Sequence, residues 1–274
     1  MSKSKRPPLI VVLFAIVLGV FYVVPLLWFI FAPLNPRATL VVTIPEQPSF
    51  QNFETVFNNP LAMRALLQNS PIIGGGVMIG TALIAALTAY GLSRGNVPGR
   101  TGLTYLLILF SSVVTGTASM VPIFLLIYRL GLIDTHIGVI LVMIGGMLPS
   151  AIFIMQDFVD GIPRSYEEAA MVFGASPLRI FRDITFPMIR PGMMVVAIWA
   201  FVNSWGAFLI PFILLRDPNK VPAAVAFYQF YDEVGSPNIT LVAAYAILYT
   251  APALLLYLLV NWRYGFRFFG GIKR

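Results

Sequence analysis

The sequence has no cysteine, a single histidine and few charges, 11% of its 274 residues against about 25% in a typical soluble domain. Without cysteine there can be no disulfide, thiolate metal site or cysteine nucleophile. The lone histidine, His136, has no neighbouring metal-ligand partners and reads as a surface loop residue. One histidine also leaves no arguable Ser/His/Asp constellation. Asp157 and Asp160 flank the end of an apolar run and lack the paired, buried setting of acid–base chemistry. Gly74-Gly75-Gly76 is not followed by Lys-Ser/Thr at the spacing a phosphate-binding loop needs. The chain offers no catalytic or nucleotide-binding motif of its own.

What it has is apolar length. Hydrophobic residues make up 58% of the chain and mean hydropathy is +0.86, which places it among all-α integral membrane proteins. Six stretches are uncharged and long enough to cross about 30 Å of hydrocarbon. They lie within predicted spans of about 9–33, 66–93, 102–128, 137–157 (uncharged as far as Gln156), 191–215 and 238–262. Backbone polar groups in lipid must be satisfied internally, so each is expected to be a helix, within a single transmembrane domain over 1–274. Met1 to Arg6 and the run after them could suggest a signal peptide, but that run is too long for one and reads as a retained first span. The net charge of +7 does not indicate a nucleic-acid binder, because the basic residues stand at the ends of apolar runs. Thirteen of them fall on one side, including Arg94, Arg100, Arg164, Arg179, Arg182, Arg190 and both termini. Five fall on the other: Arg37, Arg64, Arg129, Arg216 and Lys220. The basic side faces the cytoplasm, so both termini and the loop 161–190 are expected there.

That loop carries helix signals. Ser165 and Glu168 have the spacing of a capping box. Tyr166 to Phe173 contains no breaker, and Gly174 suits the left-handed position that ends a helix. Ser176 and Pro177 restart one as N-cap and first residue. Pro187 is expected to stop it, and Pro191 to open the next apolar run. Elsewhere, Ser49 is placed to cap a short amphipathic helix running to Phe57. Gly74 to Gly80, with Ala82, Ala85, Ala86 and Ala89, reads as a close-packing helix face. Pro122 marks a kink or flexible point. Asn203-Ser204-Trp205 is a polar cluster inside the fifth apolar run, suited either to an interhelical hydrogen bond or to lining a pathway.

Glu168-Ala169-Ala170, three residues, Gly174, nine residues, Ile184, two residues, Pro187 resembles the Glu-Ala-Ala loop of ABC importer permeases. Phe186 stands where that family usually has Leu, and Phe173 where it often has Asp. Further segments are similar in order along the chain: Phe50-Gln51-Asn52-Phe53, Ala89-Tyr90-Gly91-Leu92-Ser93-Arg94, Leu130-Gly131-Leu132-Ile133-Asp134-Thr135 and the tail Tyr264 to Arg274. Trp205-Gly206-Ala207-Phe208 departs from the family's Trp-Asn-x-Phe.

The resemblance implies a type I importer permease of the maltose-type carbohydrate class, in the cytoplasmic (inner) membrane of a bacterium or archaeon. Its partners would be a second permease subunit, two ATPase subunits, an extracytoplasmic substrate-binding protein and membrane lipid, with no nucleic acid. Such a permease carries no cofactor; ATP and Mg belong to the ATPases. The coupling residues it implies are Glu167, Glu168, Ala169, Ala170, Phe173, Gly174, Ala175, Ser176 and Phe181, with small Ala169 and Ala170 allowing close docking and Glu168 meeting a basic residue of the ATPase. Asn203, Ser204 and Trp205 are the candidates for lining the pathway, on their polarity within the fifth apolar run rather than on the resemblance. A polyol or glycerol phosphate is the alternative solute on the same scaffold. A secondary carrier or an intramembrane enzyme is the alternative class; against these stand the missing catalytic constellation and the lack of a charge inside any predicted span.

Overall fold

The computed structural model describes residues 9–36, 41, 44–95, 98–114, 117–232 and 235–264. The tail that follows Tyr264 and the terminal basic residues Lys3, Lys5, Arg6, Arg267, Lys273 and Arg274 lie outside them. Apart from short turns such as Pro60–Arg64 and Ala223–Ala226, the helices are α1 (Leu9–Phe31), α2 (Gln51–Phe57), α3 (Ser70–Arg94), α4 (Arg100–Val114) and α5 (Met120–Arg129). They continue with α6 (His136–Asp160), α7 (Arg164–Val172), α8 (Pro177–Trp205), α9 (Leu209–Leu214) and α10 (Ile239–Tyr264). Among the described residues the only β pairing is an isolated bridge between Tyr231 and Pro237. Among the described residues five helices are long and apolar enough to cross a membrane: Leu9–Leu34, Pro60–Arg94, His136–Asp160, Pro177–Trp205 and Ile239–Leu259. The predicted third span corresponds to α4 and α5, with residues 115 and 116 between them outside the description and Pro122 in the first turn of α5.

The chain forms two compact units, 1–63 with 227–274, and 64–226. In the first, α1 buries none of its residues, as expected of a helix apolar all round whose solvent is lipid. Ser49 is not the cap of α2: Phe50 takes that position without a side-chain capping bond, and Ser49 Oγ, one residue earlier, accepts from the Gln51 N–H at 3.2 Å. Buried Asn52 anchors α2 by donating to Pro33 O at 2.8 Å. Phe227 and Phe230 pack on buried Tyr245 of α10, with ring centroids 4.8 and 5.1 Å away.

In the second unit α3, α6 and α8 share one core. Ala82, Ala85, Ala86 and Ala89 of α3 meet Ala151, Ile152, Met155 and Val159 of α6 and Ile189 and Val196 of α8. The small-residue face is a packing face: a β-carbon at Gly76 would lie 2.7 Å from Ile140 Cδ1, and one at Gly80 would overlap Ile144. Backbones approach closely here because nothing larger fits between them.

Two expectations for the stretch 177–215 need correction. Pro187 does not stop the loop's second helix. A π turn over Phe181–Thr185 hands directly to Phe186–Trp205. In that turn the Phe186 N–H bonds five residues back to Phe181 O. Pro187 then falls at the start of the resumed α-helix, where its missing donor is tolerated. At the far end, α8 closes at Trp205 and Gly206, and the rest of the predicted fifth span forms the separate α9.

A polar clasp ties together turns at the opposite end of this unit from the loop. Asp134, at a left-handed φ of 59°, accepts from the Arg216 and Asp217 N–H groups at 2.9 and 3.0 Å and pairs with Lys220 Nζ at 2.7 Å. Those backbone donors, Asp217 first, and Lys220 hold its carboxyl down to about 2. His136 is half-buried rather than a free surface residue, its Nε2 lying 2.9 Å from Lys220 O. Asn69 completes the clasp, donating to the carbonyls of Asn219 and Val221.

Candidate functional site

The loop between α6 and α8 is built as a rigid corner. α7 begins at Arg164 with Pro163 as its cap and no side-chain capping bond. The capping box expected from Ser165 and Glu168 therefore does not form: Ser165 already lies inside the helix, and Glu168 points into solvent. The C-terminal end follows expectation. Gly174 has φ +79°, its N–H reaches Met171 O at 2.9 Å, and the Ala175 N–H reaches Ala170 O at 3.0 Å. This bond pair is a Schellman motif. Ser176 Oγ then accepts from the Arg179 N–H at 3.4 Å and opens α8 at Pro177.

The corner presents an apolar ridge to the outside. Val172 is 84% exposed, Phe173 89% and Leu178 76%. Glu168 and Ala169 are exposed beside it, and Ala170 and Ala175 half-exposed. Phe181 turns inward against Tyr90 of α3, ring centroids 4.9 Å apart. An open cleft of about 480 Å³ lies between α7 and the end of α3, lined by Tyr90, Arg94, Arg164, Glu168, Met171 and Pro177.

Beneath the ridge is a buried ion pair that sequence reasoning missed. Glu167, grouped by the sequence with the coupling surface, is 3% exposed and is the one buried residue of α7. Arg94 Nε donates to Glu167 Oε1 at 2.8 Å, and Thr185 Oγ1 donates to the same oxygen at 3.2 Å. The Arg94 guanidinium also donates to Val159 O and Ile162 O at 3.1 and 3.0 Å. Arg164 and Arg100 both donate to Ser93 O, and Arg100 pairs with Asp160 at 3.0 Å. Nothing local marks this pairing. Arg94 reads as a charge closing an apolar run, and Glu167 as one of two adjacent glutamates on a polar helix.

The second group of predicted residues does not converge on one face. Asn203 is exposed and its amide donates back to Trp199 O at 2.8 Å, one turn earlier in the same helix. Ser204 and Trp205 are buried; the Ser204 hydroxyl donates to Phe201 O at 2.9 Å, and Trp205 stacks on Phe201.

Long apolar helices joined by a polar helical corner define a membrane-embedded protein. Residues 101–264 match the family described as the binding-protein-dependent transport system inner membrane component, and the chain belongs to that family. It is 31% identical over 249 residues to the galactooligosaccharides transport system permease protein GanQ of Bacillus subtilis strain 168, covering 89% of this chain and 87% of that one. It is also 31% identical over 271 residues to the trehalose transport system permease protein SugB of Mycobacterium tuberculosis, covering 95% of each. The fold is similar to a chain of a bacterial ABC transporter involved in the import of the acidic polysaccharide alginate. The TM-score is 0.78 at 21% identity, over 96% of this chain and 99% of that one.

Proposed function

We propose that this chain forms half of the translocation pathway of an ATP-driven importer for a carbohydrate, and that α7 and the start of α8 are its coupling element. The observation that carries this reading is the ridge of Val172, Phe173 and Leu178, exposed on a corner whose backbone is fixed by Gly174 and Ser176. An apolar patch on a polar, rigid element outside the apolar helices marks a protein partner's seat. The partner is an ATPase subunit, two of which bind ATP and Mg and serve this chain and a second permease subunit. Glu168, exposed at the ridge's edge, is placed to meet a basic group of that subunit. An extracytoplasmic binding protein delivers the solute, and the carbohydrate class follows from the printed substrates of the relatives.

In this reading the chain is one permease domain with six crossings in a bacterial or archaeal cytoplasmic membrane. They are α1, α3, α4 with α5, α6, α8 with α9, and α10, with both termini and the corner in the cytoplasm. Asn203 faces out of its own bundle and lines the pathway or the second permease. The test is isolation of the tagged chain from its native membrane. The unaltered chain should bring ATPase subunits with it, and Phe173→Asp should lose them while the chain remains inserted. Retention of the ATPase by that variant would remove the ridge from the interface. Calorimetric screening of the copurified binding protein against sugars then tests the solute class.

A further inference from the structure

α7 is held to the membrane body in an unusual way. A surface helix normally docks through an apolar stripe, but α7 turns its apolar residues outward and buries only Glu167. That single carboxylate oxygen accepts from two different helices, Arg94 at the end of α3 and Thr185 in the π turn of α8. Arg94 in turn is fixed to the end of α6 through Val159 O and to Ile162 O just beyond it. Apolar contacts can slide, whereas short directional bonds to a buried charge resist displacement, since leaving either partner unpaired there is strongly unfavourable. Thr185 sits in the widened turn of α8, and such turns often occur at functional sites.

We infer that Glu167, Arg94 and Thr185 form the joint through which displacement of α7 reaches the apolar helices. Glu167 and Arg94 link it to α3 and α6, and Thr185 links it to α8. They are positioning residues: none of them lies on the exposed ridge, and their effect is exerted on the helices they connect. The inference rests on the coupling role proposed for the corner, but it assigns transmission to residues other than those that dock.

The chain lacks cysteine, so Val202→Cys, at an exposed position on α8 far from the joint and given no role in the pathway, provides a unique reporter within it. The complex is isolated through a tag on this chain, and the rate of modification by a water-soluble maleimide is followed with and without Mg-ATP and vanadate. In the reporter background the nucleotide should change the rate by about 5-fold or more, the lower end of ordinary site-to-site coupling. Glu167→Gln and Thr185→Val should each reduce that response to less than about 2-fold, with ATPase subunits copurifying in the same ratio. Thr185→Ser, which keeps the hydroxyl, should restore the response. A full response in both Glu167→Gln and Thr185→Val overturns the joint while leaving the coupling reading intact. No response in the reporter background overturns the coupling reading and the joint together. If Glu167→Gln loses the ATPase subunits, the comparison of Thr185→Val with Thr185→Ser decides, and equal responses there overturn the inference.

Discussion

Arg94 and Glu167 stand 73 residues apart in the chain and 2.8 Å apart in the fold, with side chains only 12% and 3% exposed. Removing one member of a buried pair strands the other's charge, at a cost of about 3–5 kcal/mol. Glu167→Ala should therefore loosen α7 from the body, leaving the core of α3, α6 and α8 intact. Trypsin should cut at Arg164 and Arg179 faster in the purified variant, with little change elsewhere. Unchanged cleavage of the loop would show that the pair contributes little to holding it.

Gly174 tests the corner's backbone. No heavy atom lies within 4 Å of a β-carbon built there, yet φ is +79°. The cost of Gly174→Ala is thus purely conformational, about 1–2 kcal/mol. Gly174→Asn should cost less, since Asn tolerates this region better. A thermal melt of the isolated complex should rank the two variants in that order, and the reverse order would mean that the Schellman turn does not persist in the assembly.

Gly76 tests the closeness of α3 and α6. Gly76→Ala places a methyl 2.7 Å from Ile140 Cδ1, and such overpacking costs about 1–3 kcal/mol. Ile140→Val in the same chain should recover part of the loss by removing the atom that clashes. Additive destabilisation in the double variant would show that the two positions are not in contact.

The clasp around Asp134 predicts a pH dependence. Its carboxyl is depressed from 3.8 to about 2. The stabilisation is therefore complete above about pH 4 and is lost as the pH falls toward 2. Water reaches this half-exposed group, so screening limits the effect to about 1 kcal/mol. The melting temperature of the isolated complex should fall more steeply between pH 4 and pH 2 than that of Asp134→Asn. Parallel curves would place the clasp's contribution elsewhere, for instance in the Asn69 amide bonds.

Much of this architecture is legible in the sequence because its signals are local. Charges bracket the apolar runs, Gly174 ends α7, and Ser176-Pro177 opens α8, each through chemistry confined to a few neighbouring residues. The failures share a cause too. Ser165 and Glu168 have capping-box spacing, but the helix begins earlier, at Arg164, and leaves them inside it. Pro187 breaks an ordinary helix, but the π turn before it shifts the hydrogen-bond register so that the helix continues. The Arg94–Glu167 pair joins two helices across 73 residues of chain that no periodicity connects. Asn203 was legible as a polar residue at depth; the side of α8 on which it lies was not.

The unbroken course of α8 fixes a phase as well as a connection. From Pro177 to Trp205 it runs for 29 residues, roughly 43 Å at 1.5 Å per residue. A tilt of about 5° at the corner would sweep the far end through roughly 4 Å on that length. The azimuth of Asn203 is likewise set by the corner, with no flexible link to absorb a mismatch. One residue inserted after Thr185 would turn the far end by about 100°, so that Asn203 would face a different neighbour although every side chain at both ends was unchanged.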